Sequence, residues 1–269
     1  LNDVDLAIVF GSKGNGWDED PEKALRQTAG WIHEALRSSE DFNVSSVEAS
    51  SHAVKIEFDD QTFSADVVPA FNPLLSTGLS IPHCPKNDPS DRRWIATDPA
   101  GHRDMVKDRN RETSSKFARQ IRILKWWNRY KKLQDQDERK PVSSFHLTAL
   151  ALSILDGPIS HAEATAHFFE QASAKVLSPI PTPSGVGDPL EAKDPVYASE
   201  LFERAAENTR KAIGTSDPED ILLAEFGDPK AQRELLSGAS FSVGAGGALL
   251  PGIAGVRPHK NPRSHGDGK

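Results

Sequence analysis

Three aspartates stand where carboxylates could act together on a polyanion. Asp3 and Asp5 are two residues apart in the apolar run DVDLAIVF. On an extended chain, residues at i and i+2 project from the same face. Asp66 lies in SADVVPAF, a second run rich in apolar and β-branched residues, a setting in which a carboxylate is seldom found without a charge to meet it. Carboxylates from neighbouring strands are hard oxygen ligands that suit Mg²⁺ and leave coordination positions for phosphate oxygens and water. Two such ions about 3.5–4 Å apart can activate an attacking hydroxyl and neutralise a leaving pyrophosphate. Spacing alone leaves a plainer alternative open: two polar residues at the edge of a sheet.

The elements that must position these groups can be read along the chain. Asp3 to Phe10 predicts a strand ending at Gly11. Asp20-Pro21 supplies an N-cap with proline in the first helical position, and the spacing of Leu25, Thr28, Ile32 and Leu36 predicts a helix to about Arg37. Two strand-like runs follow, Val47 to Phe58 and Thr62 to Ala70, parted by Asp59-Asp60. Asn72 to Pro99 reads as proline-rich loop. From Pro99 the pattern is helical, with helices expected over Glu112 to Lys132, Ser143 to Leu155, Ser160 to Val176, Asp194 to Ile213 and Asp220 to Phe226; Ser160 and Glu163 form a capping box. Beyond Ser237, Gly, Ala, Pro and His dominate, which predicts a flexible tail. The expected fold class is α+β, a sheet-and-helix core over residues 1–98, a helical lobe over 99–236 and a Gly/Pro-rich tail over 237–269.

Composition narrows the function classes. With 32 Lys and Arg against 39 Asp and Glu, the net charge of −7 argues against a general nucleic-acid coat. No apolar run reaches the roughly 18 residues of a membrane span, and the single cysteine, Cys84, excludes a disulfide scaffold and points to the cytoplasm. Charge is unevenly spread: Arg92 to Lys140 holds 15 Lys and Arg but 7 Asp and Glu. A basic stripe beside an acidic metal cluster suits nucleoside triphosphates. Arg122, Lys125 and Arg129 share one helical face; Arg129, Lys131 and Lys132 read as a solvated face. Trp126 and Trp127 read as core where the long helix crosses the sheet, and Phe145 also reads as core. Cys84 has no base pattern around it that would make it a nucleophile.

The order NDVDLAIVF, helix, VKIEF, FSADVVPAF, then RRWIATDPAGHRDMVKDRNRETSSKFARQIRILKWWN and SSFHLTALAL resembles the bacterial cyclic GMP-AMP synthase-like (CD-NTase, SMODS-type) nucleotidyltransferases of the polymerase-beta superfamily. The resemblance runs from about Leu1 to Phe226. It implies a polymerase-beta-like core followed by an oligoadenylate-synthase-like helical lobe. It also implies that Asp3, Asp5 and Asp66 are the metal-binding and catalytic triad, for two Mg²⁺ ions with Mn²⁺ as an alternative, and that Asp66 is the general base for a 2′- or 3′-hydroxyl. Lys125 and Ser144 are implied as donor-triphosphate ligands, which agrees with the residue chemistry: a lysine is a point charge for phosphate, and a serine at a helix start adds a hydroxyl to free backbone N–H groups. The family carries a Gly-Ser pair about a dozen residues ahead of the first aspartate. Gly11-Ser12 follows that aspartate and reads as a connection, so the chain is expected to be a piece that begins after its natural N-terminus.

The implied activity is Mg²⁺-dependent joining of ATP and/or GTP into a cyclic di- or oligonucleotide messenger, in anti-phage defence, with regulatory protein partners and no need for membrane or nucleic acid. The alternatives are nucleotidyl transfer to RNA, protein or a small molecule, and a catalytically inactive nucleotide-binding module.

Overall fold

The computed structural model describes residues 3–10, 20–39, 43–59, 63–72, 78–135, 140–157 and 160–228, and the side chains of residues 3–5 lie outside that description. The Gly11-Ser12 connection and the tail beyond Ser237 also lie outside the described residues.

Strand β1 (Asp3–Phe10) is followed by helix α1 (Pro21–Arg37). Asp20 caps α1 as its sequence predicts: its Oδ1 accepts from the N–H of Glu22 at 2.9 Å and of Lys23 at 3.1 Å. Next come β2 (Val44–Ala49), β3 (Val54–Phe58) and β4 (Ser64–Phe71). The run expected as one strand from Val47 to Phe58 is therefore part of a hairpin. Its turn contains neither Gly nor Pro. Ser50 closes it, donating from both N–H and Oγ to the carbonyl of Ala53 at 2.7 and 2.8 Å.

The segment expected as loop between Asn72 and Pro99 contributes two more strands, β5 (Leu79–His83) and β6 (Arg93–Thr97). Pro82 is accommodated because β4 pairs with β5 only at Phe71 and Ser80, so its missing N–H breaks no ladder bond on that side. The sheet runs β2-β3-β4-β5-β6, and β1 pairs with β4 in parallel off that path. Helix α1 covers one face, where Leu25, Val54, Ile56, Ala65, Val67 and Cys84 form a buried cluster.

The remainder is helical: α2 (Pro99–Glu112), α3 (Phe117–Gln134), α4 (Ser144–Ile154), α5 (His161–Lys175), α6 (Pro195–Gly214) and α7 (Glu219–Phe226). The helix expected from Glu112 to Lys132 begins at Phe117 instead, and Glu112 is the last residue of α2. The chain turns between α2 and α3 through Ser114 (φ 53°) and Ser115 (φ 65°), a left-handed corner unusual for residues with a Cβ.

The helices close on a second core. Trp127 belongs to this core, not to a crossing with the sheet: its ring lies 4.7 Å from Phe169 and 5.3 Å from Phe202. Trp126 is half-buried beside it and donates Nε1–H to the carbonyl of Phe226 at 2.9 Å. Lys131, expected in solvent, is 5 % exposed and paired with the buried Glu225 at 2.9 Å. Glu225 also accepts from Trp127 Nε1 at 2.6 Å and Asn208 Nδ2 at 2.7 Å, which is how the short α7 is fastened to α3 and α6.

Candidate functional site

Alternation along β4 puts Ala65 and Val67 against α1, so Ser64 and Asp66 belong to the opposite face. The parallel register sets Asp3 beside Ser64 and Asp5 beside Asp66. The positions of all three aspartates thus fall on one face of two adjacent strands, with Asp5 and Asp66 directly in register at the spacing of neighbouring strands, about 4.8 Å. On the other side of β4, Lys55 is the register partner of Asp66, and its Nζ bonds to Glu57 Oε1 at 2.5 Å. Asp66 is half-buried. Among the described residues, no group of three or more His, Cys, Asp or Glu forms a metal-sized cluster. The fit of a cation to Asp3, Asp5 and Asp66 therefore stands on strand register and on the hard-oxygen chemistry of the donor set.

Lys125 lies on α3 between the fully buried Leu124 and the half-buried Trp126. It is half-buried itself, and desolvation pulls its ammonium below the ordinary value. It has no hydrogen bond or ion pair with any described residue. A partly desolvated cation without a carboxylate is poised for an anion arriving from outside.

Ser144 is the first residue of α4 and is exposed. The cap is its neighbour Ser143, whose Oγ accepts from His146 N–H at 3.1 Å, leaving the Ser144 hydroxyl beside the first-turn amides. Phe145, expected in the core, is 38 % exposed, and its ring centroid lies 4.8 Å from that of His102. Sequence reasoning missed this exposed ring because the run FHLTALAL reads as continuously apolar.

Helices α3 and α4 pack together, so Lys125 and Ser144 belong to one helical body while the aspartates share the sheet face. Cys84 is buried, and burial raises its thiol above the ordinary value, which makes it a poor nucleophile.

The structure has the α+β class expected from the sequence: a small mixed sheet with α1 on one face and a helical body following β6. No protein-family profile matches the chain. In sequence it is 25 % identical over 173 residues to a cyclic AMP-AMP-AMP synthase of Escherichia coli (strain MS 115-1), a match covering 63 % of this chain and 50 % of the synthase. The chain thus spans about half the length of that curated relative. Among solved structures, CdnC of E. coli MS115-1 with ATP superposes with a TM-score of 0.63 at 19 % identity, covering 85 % of this chain and 78 % of CdnC. The complex of CdnC with HORMA-deltaN gives the same TM-score and identity, covering 85 % and 77 %. DncV of Vibrio cholerae, a cyclic AMP-GMP synthase in complex with the linear intermediate 5′ pppA(3′,5′)pG, gives 0.63 at 18 % identity, covering 87 % of this chain and 64 % of DncV. Sequence and fold together support the resemblance read from the motifs: the chain is similar in sequence to a cyclic AMP-AMP-AMP synthase and shares its fold with CdnC and DncV.

Proposed function

We propose that the chain is a nucleotidyltransferase that joins nucleoside triphosphates and closes the product into a cyclic di- or oligonucleotide. The observation that carries this reading is the register of β1 on β4, which sets Asp5 beside Asp66 and Asp3 on the same face. The half-buried, carboxylate-free Lys125 and the likeness to a cyclic trinucleotide synthase support it.

In the reaction, a ribose hydroxyl oxygen bonds to the α-phosphorus of a triphosphate, the bond from that phosphorus to the bridging oxygen breaks, and pyrophosphate departs. Asp66 takes the hydroxyl proton. Lys125 and the Ser144 end of α4 hold the donor triphosphate, Lys125 by charge and α4 by its hydroxyl and first-turn N–H groups. Asp3, Asp5 and Asp66 would hold Mg²⁺, which when bound supplies Lewis-acid stabilisation of charge on the phosphates. The exposed ring of Phe145, next to Ser144, offers a flat apolar surface at the triphosphate end of the site. The reading extends to cytoplasmic signalling in anti-phage defence, as the family resemblance implies. It also includes a regulatory protein partner, in line with the HORMA complex of CdnC. Among the described residues, no helix is long and apolar enough to cross a membrane.

The test is to incubate the full-length protein with α-labelled ATP and GTP and Mg²⁺, treat the products with phosphatase, and separate them by mass. The expected result is a phosphatase-resistant product from the wild type and none from Asp66→Asn. Equal products from both would overturn the role of the triad, and label transferred to added RNA or protein would replace cyclisation with another acceptor.

A further inference from the structure

The chain between α5 and α6, residues 176–194, is a compact loop with two residues fixed at positive φ. Ile180 and Leu190 exchange backbone hydrogen bonds at 3.0 and 2.7 Å. Inside that bridge, Thr182 is buried and donates Oγ1–H to the carbonyl of Val186 at 2.8 Å, and its backbone carbonyl accepts from Gly185 N–H at 2.9 Å.

This closed loop touches three other elements. It reaches β6 through Asp188, paired with Arg93 at 2.9 Å, and through Gly187, which lies so close that a Cβ there would stand 2.6 Å from the carbonyl oxygen of Ala96. On α2, the Ser184 hydroxyl meets His102 Nε2 at 2.9 Å. At α4, His146 is 2 % exposed and lies near the backbone of Glu191, which favours its charged form against the larger effect of burial, while its Nε2 is buried without a partner among the described residues. His146 N–H bonds the Ser143 cap, and the His102 ring that Ser184 holds lies 4.8 Å from the ring of Phe145, so the loop bears on the turn of α4 that presents Ser144. Arg93 and Ala96 belong to the sheet that carries Asp66.

The geometry points to the 176–194 loop as a positioning strap that holds the Ser144 end of α4 against β6 and so sets the spacing between the two halves of the site. This inference rests on the nucleotidyltransferase reading. Gly187, His146, Ser184 and Asp188 are its positioning residues. Gly187 (φ +101°) is the sharpest handle, since it is the residue of this loop that combines a left-handed conformation with so close an approach to β6. Gly185 (φ +71°) is its internal control: the conformation is also left-handed, but nothing stands within 4 Å of a Cβ there.

The experiment compares Gly187→Ala with Gly185→Ala, and adds Ser184→Ala/Asp188→Asn, which cuts two polar anchors without steric push should Gly187→Ala fail to fold. Two readouts are taken well below each variant's own melting temperature: hydrogen exchange of the first-turn amides of α4, and kcat and KM for ATP. Lifting the strap is expected to speed exchange at residues 144–148 and to lower kcat/KM by about tenfold to a hundredfold, the scale on which small misplacements act. Gly185→Ala should do neither. Exchange in Gly187→Ala and in the double variant no faster than in Gly185→Ala overturns the strap. Faster exchange in those two variants, together with a wild type that turns over no nucleotide, leaves the strap standing as a tether and overturns the assigned chemistry.

Discussion

Removing the ammonium of Lys131 tests how the helical body is held together. Lys131 is 5 % exposed and Glu225 2 % exposed, with 2.9 Å between them, and Glu225 keeps two further donors, Trp127 at 2.6 Å and Asn208 at 2.7 Å. In Lys131→Met the alkyl stem is retained and only the charge is lost, so the cost is that of a buried carboxylate without its counter-ion, about 3–5 kcal/mol. At about 2–4 °C per kcal/mol for a chain of this size, the melting temperature should fall by roughly 6–20 °C. Adding Glu225→Gln removes the stranded charge while leaving an acceptor for Trp127, so Lys131→Met/Glu225→Gln should regain about half of the loss or more. Lys107, whose partner Asp104 is exposed at 3.4 Å, is the control, and Lys107→Met should stay within about 0.5 kcal/mol. Urea denaturation followed by circular dichroism gives the free energies. A Lys131→Met loss near that of Lys107→Met, or a double variant no more stable than the single, would refute the buried-pair account.

Lys125→Met should separate binding from stability. It removes a partly desolvated cation that no described residue compensates, so thermal stability should hold or rise while ATP affinity drops on the order of tenfold to a hundredfold, the scale of one charge-assisted hydrogen bond; isothermal titration and a melt on the same sample check both. Burial holds His146 and His102 below their ordinary value of 6.5. Their neutral forms therefore favour the folded state above that pH, and this contribution is lost as pH falls through 6.5 toward the folded values. The melting temperature should decline between pH 7.5 and 5, and His146→Gln should flatten the slope; Glu170 and Asp104, held below their ordinary carboxylate range, add acid sensitivity only at lower pH. Phe202→Ala, which empties the centre of the aromatic cluster at 0 % exposure, should cost about 3–5 kcal/mol, measured by urea denaturation.

The strand character of DVDLAIVF and SADVVPAF was legible because period and composition agreed, and the caps at Asp20, Ser160 and Asp194 marked helix starts that the structure has. That Asp5 pairs with Asp66 was not legible. Register between strands some sixty residues apart depends on the crossover through α1 and on the hairpin that inserts β2 and β3, neither of which leaves a local signal. The hairpin itself escaped because Ser50 closes its turn through its own side chain, without the Gly or Pro that marks most turns. Strands β5 and β6 escaped because proline argued for loop. Lys131 read as solvent-facing since its partner Glu225 is far along the chain, on a helix whose docking no local pattern reveals. The same limit applied to Phe145: an apolar run tells which residues favour burial, not which one the neighbouring elements fail to cover.

Asn128 on α3 has a consequence for how this protein can vary. Its buried side-chain amide donates to the carbonyl of Val142 at 2.9 Å and accepts from the N–H of Val142 at 3.3 Å, as a strand partner would. One side chain thereby clasps the chain just ahead of α4, so the distance from Lys125 to Ser144 is fixed independently of the path between the two helices. Insertions or deletions in the polar stretch after Asp135 are then decoupled from substrate handling, whereas exchanging Asn128 for an isosteric leucine would make that connector's length matter.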